Sequence, residues 1–399
     1  MAILLSRAKQ VLTMNDGIGL ISDCSVLIEN DIIKKVGRFS ESNFKGEIID
    51  CTGYVLTPGL IDAHTHLVFA GTREDEFALR LEGVKYETIA QKGGGILKTV
   101  AMTRAASEDD LYKLAVERVK KIIRHGTTTI EIKSGYGLSL SEELKILRVI
   151  RRLKENMPID IVPTYLIHAI PKLMKRQDYV DMQCAEMLPE VARRQLAEFC
   201  DIFCDKTAFT KSESEKILKR ARELGFALKM HTDELANIGG ATLAAKLGCV
   251  SAEHLIYTTK SGIRDLRRAN VIPVLLPGTS LYLQSKQKPR MHDFIKLELP
   301  IAFATDFNPG TCMIYSMPKI IALACLVYRA PIEVALMGAT INGARALKRD
   351  DKIGKIKPNF QADLVVWNVN DYRKIPYQFG EDLIKMVIKR GKIIHETNS

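Results

Sequence analysis

Pro58-Gly59-Leu60-Ile61-Asp62-Ala63-His64-Thr65-His66, at the centre of residues 53–73, is the stretch from which the rest of the sequence is read. The apolar run over 54–61 predicts a buried strand that delivers two histidines one residue apart. Side chains alternate along a strand, so His64 and His66 share one face while Thr65 takes the other. Two neutral imidazoles on one side of a rigid strand end can grip a single transition-metal ion. An isolated His-x-His is as readily an ordinary pair of histidines. Here the preceding Pro-Gly turn, and metal-type residues recurring at the ends of later strands, favour a site.

Downstream, strand and helix patterns alternate. Further strands are predicted at 127–133, 159–168, 201–205, 226–231, 250–254, 271–276 and 301–306. Helical patterns lie between most of them, clearest at 108–125, 212–224 and 241–247; another helix is expected to be capped at Ser141, with Glu142 and Glu143 in its first turn. With the opening strand this makes eight, and β/α alternation of that length predicts an α/β fold, a (β/α)8 TIM barrel. The two chain ends read differently. Short strands at 2–12, 24–29, 32–36 and 47–50, and again at 363–368, 384–390 and 392–395, have turns at Asn30-Asp31 and Arg390-Gly391. Neither end suffices alone. Together they predict a small β-sandwich-like domain of residues 1–55 plus 347–399, bracketing a catalytic barrel over 56–346.

Composition bounds the function. A chain of 399 residues with 46% hydrophobic residues has room for one large core and a smaller one. No apolar run approaches the roughly 20 residues needed to span a bilayer, and the N-terminus lacks a basic n-region and cleavage site. A cytoplasmic protein without a membrane partner is expected. Eight scattered cysteines form no Cys-x-x-Cys and read as free thiols. The net charge of +11 raises the question of nucleic acid. Its basic residues, however, sit among aliphatics and acids on helical faces such as 118–124 and 216–222, with no aromatic RNA-binding motif and no basic tail. Solvated helix faces are expected, and no nucleic-acid partner.

In a (β/α)8 barrel the active site lies at the C-terminal ends of the strands. Those ends carry His64 and His66, then Tyr136, His168, His231 with Glu234, His254, and Asp306 with Asn308, so five of the eight histidines fall on one face. Three imidazoles and a carboxylate suit a hydrolytic zinc or iron site, whereas calcium or magnesium would want more oxygens. His64, His66 and His231 are the expected ligands, with Asp306 completing the set or holding an activated water. Such an ion lowers the pKa of water towards about 7 and polarises a carbonyl. Glu234, three residues beyond His231, is placed to shuttle a proton to a leaving nitrogen. His254 is placed to hydrogen-bond a carbonyl oxygen as charge develops on it.

His-x-His on the first strand and Asp on the eighth resemble the amidohydrolase superfamily. Within it, residues 60–73, Gly93-Gly-Gly-Ile96, Glu131-Ile-Lys-Ser-Gly-Tyr-Gly137, His231-Thr-Asp-Glu234, Ala252-Glu-His254 and Ala304-Thr-Asp-Phe-Asn-Pro-Gly-Thr311 resemble the imidazolonepropionase family over nearly the whole chain. The resemblance implies a barrel of the metal-dependent hydrolase type that opens 4-imidazolone-5-propanoate to N-formimidoyl-L-glutamate in histidine degradation. It implies one Zn2+ or Fe3+ per chain on His64, His66, His231 and Asp306, and a homodimer. Arg73 would then pair with the propanoate carboxylate, and Tyr136, His168, Asn308, Gly310 and Thr311 would hold ring and carboxylate. Asn359 stands where the superfamily often has glycine, a position an asparagine can fill in a left-handed conformation. Lys206 follows the fourth strand, near where dinuclear relatives carry a carboxylated lysine, and is weighed as a bridge between two metals. The alternatives are a hydrolase or deaminase of another small heterocycle, which would need no clamp such as Arg73, and a silent scaffold, which would have lost a ligand.

Overall fold

The computed structural model describes residues 2–39, 44–84, 88–89 and 93–397. Eight parallel strands follow one another around a barrel: β6 (Leu60–Asp62), β7 (Thr127–Lys133), β8 (Asp160–Ile167), β9 (Phe199–Cys204), β10 (Ala227–Thr232), β11 (Ser251–His254), β12 (Ile272–Leu275) and β13 (Ala302–Phe303), each paired with the next. Strand β7, Thr-Thr-Thr-Ile-Glu-Ile-Lys, is β-branched at five of seven positions and buried throughout, as a strand covered on both faces requires. The ring is nearly closed. Beyond the short β13, Thr65 bridges to Phe307 and the Asp306 amide donates to the His64 carbonyl at 3.0 Å. The Asp62 carboxylate accepts from the Thr305 amide and hydroxyl at 3.0 and 2.6 Å, a second stitch across the seam.

Helices cover the outside. The helix Glu108–Arg124 is capped by Ser107, whose hydroxyl accepts from the Asp110 amide, and buries Leu111, Ala115, Val119, Ile122 and Ile123 along one stripe. Arg118 leaves that helix to donate to the carbonyls of Leu67 and Phe69 at 2.8 and 2.7 Å, with its guanidinium 3.5 Å above the Phe69 ring. This contact pins the segment that follows the two histidines. The expected cap at Ser141 is displaced: the helix runs Leu140–Asn156 with Ser139 at its cap position.

The apolar run over 54–61 is not one strand. It divides at Gly59 into β5 (Val55–Pro58), which belongs to a second sheet, and β6 of the barrel. The reason is the close approach of β7, because a Cβ on Gly59 would lie 2.2 Å from the Thr128 hydroxyl. The second sheet draws on both chain ends: β1 (Ala2–Leu12), β2 (Leu20–Glu29), β3 (Ile32–Gly37), β4 (Glu47–Asp50) and β5 join β14 (Leu364–Trp367), β15 (Ile384–Lys389) and β16 (Lys392–Glu396). It is ordered β16-β15-β14-β5-β1-β2-β3, with β4 on β1. One face buries its own cluster, including Val26, Leu56, Leu364 and Ile388, while Val55, Val365 and Val387 on the other join the main core.

Candidate active site

The segment after β6 keeps the alternation of a strand. Thr65 turns outward to donate to the Glu131 carbonyl at 2.6 Å, and His64 and His66 turn inward. Their Nε2 atoms lie 3.3 Å apart, and each stands 3.4 and 3.3 Å, respectively, from Oδ1 of Asp306. His64 Nδ1 lies 2.6 Å from Glu253, so the proton of a neutral ring belongs there and its Nε2 offers a lone pair. Lone pairs facing one another and a carboxylate oxygen repel unless a cation stands among them. Ligands about 2.1 Å from one tetrahedral ion would be about 3.4 Å apart, and the observed triangle has that edge.

His231, at the end of β10, stands beside His64 with ring centroids 4.5 Å apart. Its Nδ1 lies 2.9 Å from Asp201, and neither of its buried ring nitrogens makes a hydrogen bond among the described residues. The donor set therefore fits a transition metal. Two overlapping groups of donors share His64: His64, His66 and Asp306 in one, His64, His231 and His254 in the other. Burial opposes a charge on His64, but Glu253 outweighs it and lifts the ring to about 9; burial holds His66 down at about 4. Asp306 is kept well below the usual carboxylate range: burial raises it, and the two histidines more than reverse that. Thr279 also donates to its Oδ2 at 2.5 Å. Asp233, His254, Leu255 and Asp306 have φ of 51°, 71°, 57° and 52°, a left-handed backbone held where strands end and side chains must be aimed inward.

Under these rings lies a group that the sequence reading left without a role. Glu131 and Lys133 of β7, Asp201 of β9, Lys229 of β10 and Glu253 of β11 are fully buried in the barrel. Lys133 Nζ lies 2.7 Å from Asp201, 3.0 Å from Glu253 and 3.0 Å from Glu131; Lys229 Nζ lies 2.9 Å from Glu131 and 3.4 Å from Glu253. A buried charge is tolerated only when paired, which accounts for the interlocking. A signal was present in the sequence. Glu131 and Lys133 are two apart in a strand that reads as buried, so both had to point the same way.

Glu234 is positioned by its own backbone: the amides of Glu234 and Leu235 donate to Asp205 at 2.7 and 3.2 Å. Its carboxylate lies 3.5 Å from His254 Nδ1. Burial, with Asp306 and Asp205 nearby, pushes its carboxyl up to about 8, and burial pushes His254 well below its usual value. These two line a cavity of about 140 Å3 with Ile256, Leu276 and Thr279. A larger cleft, about 520 Å3, opens at the opposite end of the barrel and is lined by no histidine.

His168 stacks on His66 with centroids 5.5 Å apart, and Tyr136 lies 5.9 Å from His168. The Tyr136 loop is shaped by Glu143, whose carboxylate accepts from the amides of Gly135, Gly137 and Leu138 at 2.9, 2.7 and 2.9 Å. Arg73 is buried and pairs through Nε and Nη2 with Glu76, at 3.0 and 2.9 Å. Its Nη1 lies against Gly310, where a Cβ would come within 2.2 Å. Asn308 is engaged by its own loop, accepting from the amides of Gly310 and Thr311 and donating to the Asp306 carbonyl and the Thr311 hydroxyl. Here Asn308, Gly310 and Thr311 bond one another. Lys206 is exposed.

The model of the amidohydrolase family matches residues 55–394. An imidazolonepropionase of Geobacillus kaustophilus is 42% identical over 98% of this chain and 94% of its own. One from Symbiobacterium thermophilum is 43% identical over 92% of this chain and 86% of its own. Solved structures share the fold at lower identity. A triazine hydrolase from Arthobacter aurescens superposes with a TM-score of 0.76 at 17% identity, covering 99% of this chain and 95% of its own. An adenosine deaminase from Xanthomonas campestris, with bound zinc, gives 0.74 at 19% identity over 98% and 92%.

Proposed function

This chain belongs to the amidohydrolase family and, within it, to the imidazolonepropionases, and we propose that it hydrolyses the ring amide of 4-imidazolone-5-propanoate to N-formimidoyl-L-glutamate, a step of histidine degradation. The identity of 42% across 98% of the chain carries the reading; the buried His/Asp cluster supports metal-dependent hydrolysis. We assign His64, His66, His231 and Asp306 as the holders of one Zn2+ or Fe3+ per chain. When bound, such an ion acidifies water and polarises a carbonyl.

The remaining steps fall to the chain's own groups. Glu234 takes one proton from the attacking water, whose oxygen joins the ring carbonyl carbon. As the C–N bond breaks, Glu234 returns that proton to the ring nitrogen, and the second water proton leaves from the new carboxyl group. His254 donates to the carbonyl oxygen while negative charge sits on it. Arg73 pairs with the propanoate carboxylate, Tyr136 and His168 hold the ring, and the Asn308–Gly310–Thr311 loop backs Arg73. The free cysteines, most of them buried, suit a cytoplasmic setting, and a homodimer is the expected state in solution. Purified protein should consume the ring absorbance of 4-imidazolone-5-propanoate with equimolar N-formimidoyl-L-glutamate formed, and carry one metal per chain by elemental analysis. Release of ammonia instead would make it a deaminase, and two metals per chain would overturn the mononuclear site.

A further inference from the structure

We infer that Lys133 is a positioning residue: one buried ammonium, acting through Asp201 and Glu253, orients both His64 and His231 so that each presents its Nε2 lone pair to the metal. The inference rests on the metal reading above. An ammonium has three donors and no acceptor. Lys133 Nζ meets Oδ2 of Asp201 at 2.7 Å and Oε2 of Glu253 at 3.0 Å. The same two oxygens face the rings, Asp201 Oδ2 at 2.9 Å from His231 Nδ1 and Glu253 Oε2 at 2.6 Å from His64 Nδ1. Asp201 Oδ2 accepts from Lys133 and Glu253 Oε2 stands 3.0 Å from the same ammonium, which favours the ionised carboxylates, and each oxygen faces the Nδ1 that would carry the proton of a neutral ring. In such a neutral ring each Nε2 keeps its lone pair, on the side away from Asp201 and Glu253. Lys229 does not share this role, since it meets Glu253 through Oε1, the oxygen away from the rings, at 3.4 Å. The three strands involved place one lysine under two ligands drawn from strands far apart in sequence.

The test is a Co2+ titration of metal-free protein against a competing chelator, followed by cobalt d–d absorption. The parent should bind one Co2+ per chain. Lys133→Met should bind about 10–100-fold more weakly, with a changed absorption envelope because the two rings are no longer fixed. Lys389→Met removes another buried lysine, held 2.7 Å from both Asp160 and Asp363 in the terminal sheet. It should lose stability to urea and keep the parent's Co2+ affinity and spectrum. If Lys133→Met does not fold, Lys133→Gln, which keeps N–H donors without the charge, should still bind at least about threefold more weakly. A folded Lys133 variant with the parent's affinity and spectrum would overturn the inference while leaving the metal site standing, as would a Lys389→Met variant weakened equally. A parent that takes up no Co2+ would remove the metal reading and this inference with it.

Discussion

Glu234 stands three residues past His231, with its amide tied to Asp205 and its carboxylate facing His254, outside the donor clusters, which is the placement the proposed proton shuttle needs. Glu234→Gln keeps size and reach but cannot accept and return a proton. It is expected to retain metal and a near-normal KM with kcat reduced on the order of 10²–10⁴-fold; an unchanged kcat would pass the shuttle to His254 or Asp306. Gly310 gives a second prediction at this scale. Alanine there would push its Cβ to 2.2 Å from Arg73 Nη1, and Arg73, gripped by Glu76, has one side on which to yield. Gly310→Ala should lower kcat/KM on the order of 10–100-fold, mostly through KM, with metal content unchanged. A KM equal to the parent's would show that Arg73 does not bind the substrate.

At the scale of elements, buried carboxylates tie down three of the segments that carry proposed site residues. Glu76 holds Arg73 and the Gly95 amide, Glu143 holds the Tyr136 loop, and Asp233 accepts from the amides of Ile238, Gly240 and Ala241 at the start of a helix. Glu143 is the cleanest test, because it collects three amides that would otherwise be buried without acceptors. Glu143→Ala should cost at least about 1–3 kcal/mol by urea unfolding and raise KM while leaving bound metal intact. Stability equal to the parent's would mean that water replaces the carboxylate. The sequence offered Glu143 as a first-turn acid of a helix capped at Ser141. Such an acid commonly serves its own helix, and only the packed loop shows it serving the segment before it.

Across the whole molecule, the two sheets are joined by charge as well as by apolar packing. Asp160, the first residue of β8, meets Lys389 and Arg390 at the end of β15 at 2.7 and 2.6 Å, and Lys389 also meets Asp363. We propose that residues 1–55, with the rest of β5, and 347–399 act as one unit against the barrel, with this cluster as a clamp at the bottom of the barrel, away from the proposed chemistry. Lys389→Met leaves two carboxylates facing each other and should cost about 3–5 kcal/mol in urea unfolding, with kcat and KM unchanged under conditions where it is folded. A drop in kcat in the folded variant would show that the terminal sheet reaches the active site.

The sequence by itself determined the eight-strand alternation, the joining of strands from both chain ends in a second β unit (expected as sandwich-like and found as one sheet), and the histidines and aspartate that gather at one end. Those features are local: period-two burial, turn residues, and ligand types at strand ends are written in neighbouring positions. It also anticipated Asn359, which takes φ of 70°. Three things were decided only by tertiary structure. Gly59 splits an apparently continuous strand because Thr128, far along the chain, occupies the space beside it. Asn308 and Thr311, which the resemblance offers as substrate contacts, also bond one another within their own loop, a pairing that only the folded loop shows. Finally, Glu131, Lys133, Asp201, Lys229 and Glu253 read singly as charges in strands. Their meaning depends on which charges the closed barrel brings within about 3 Å, and distances between side chains on different strands follow from barrel closure and cannot be read from any one segment.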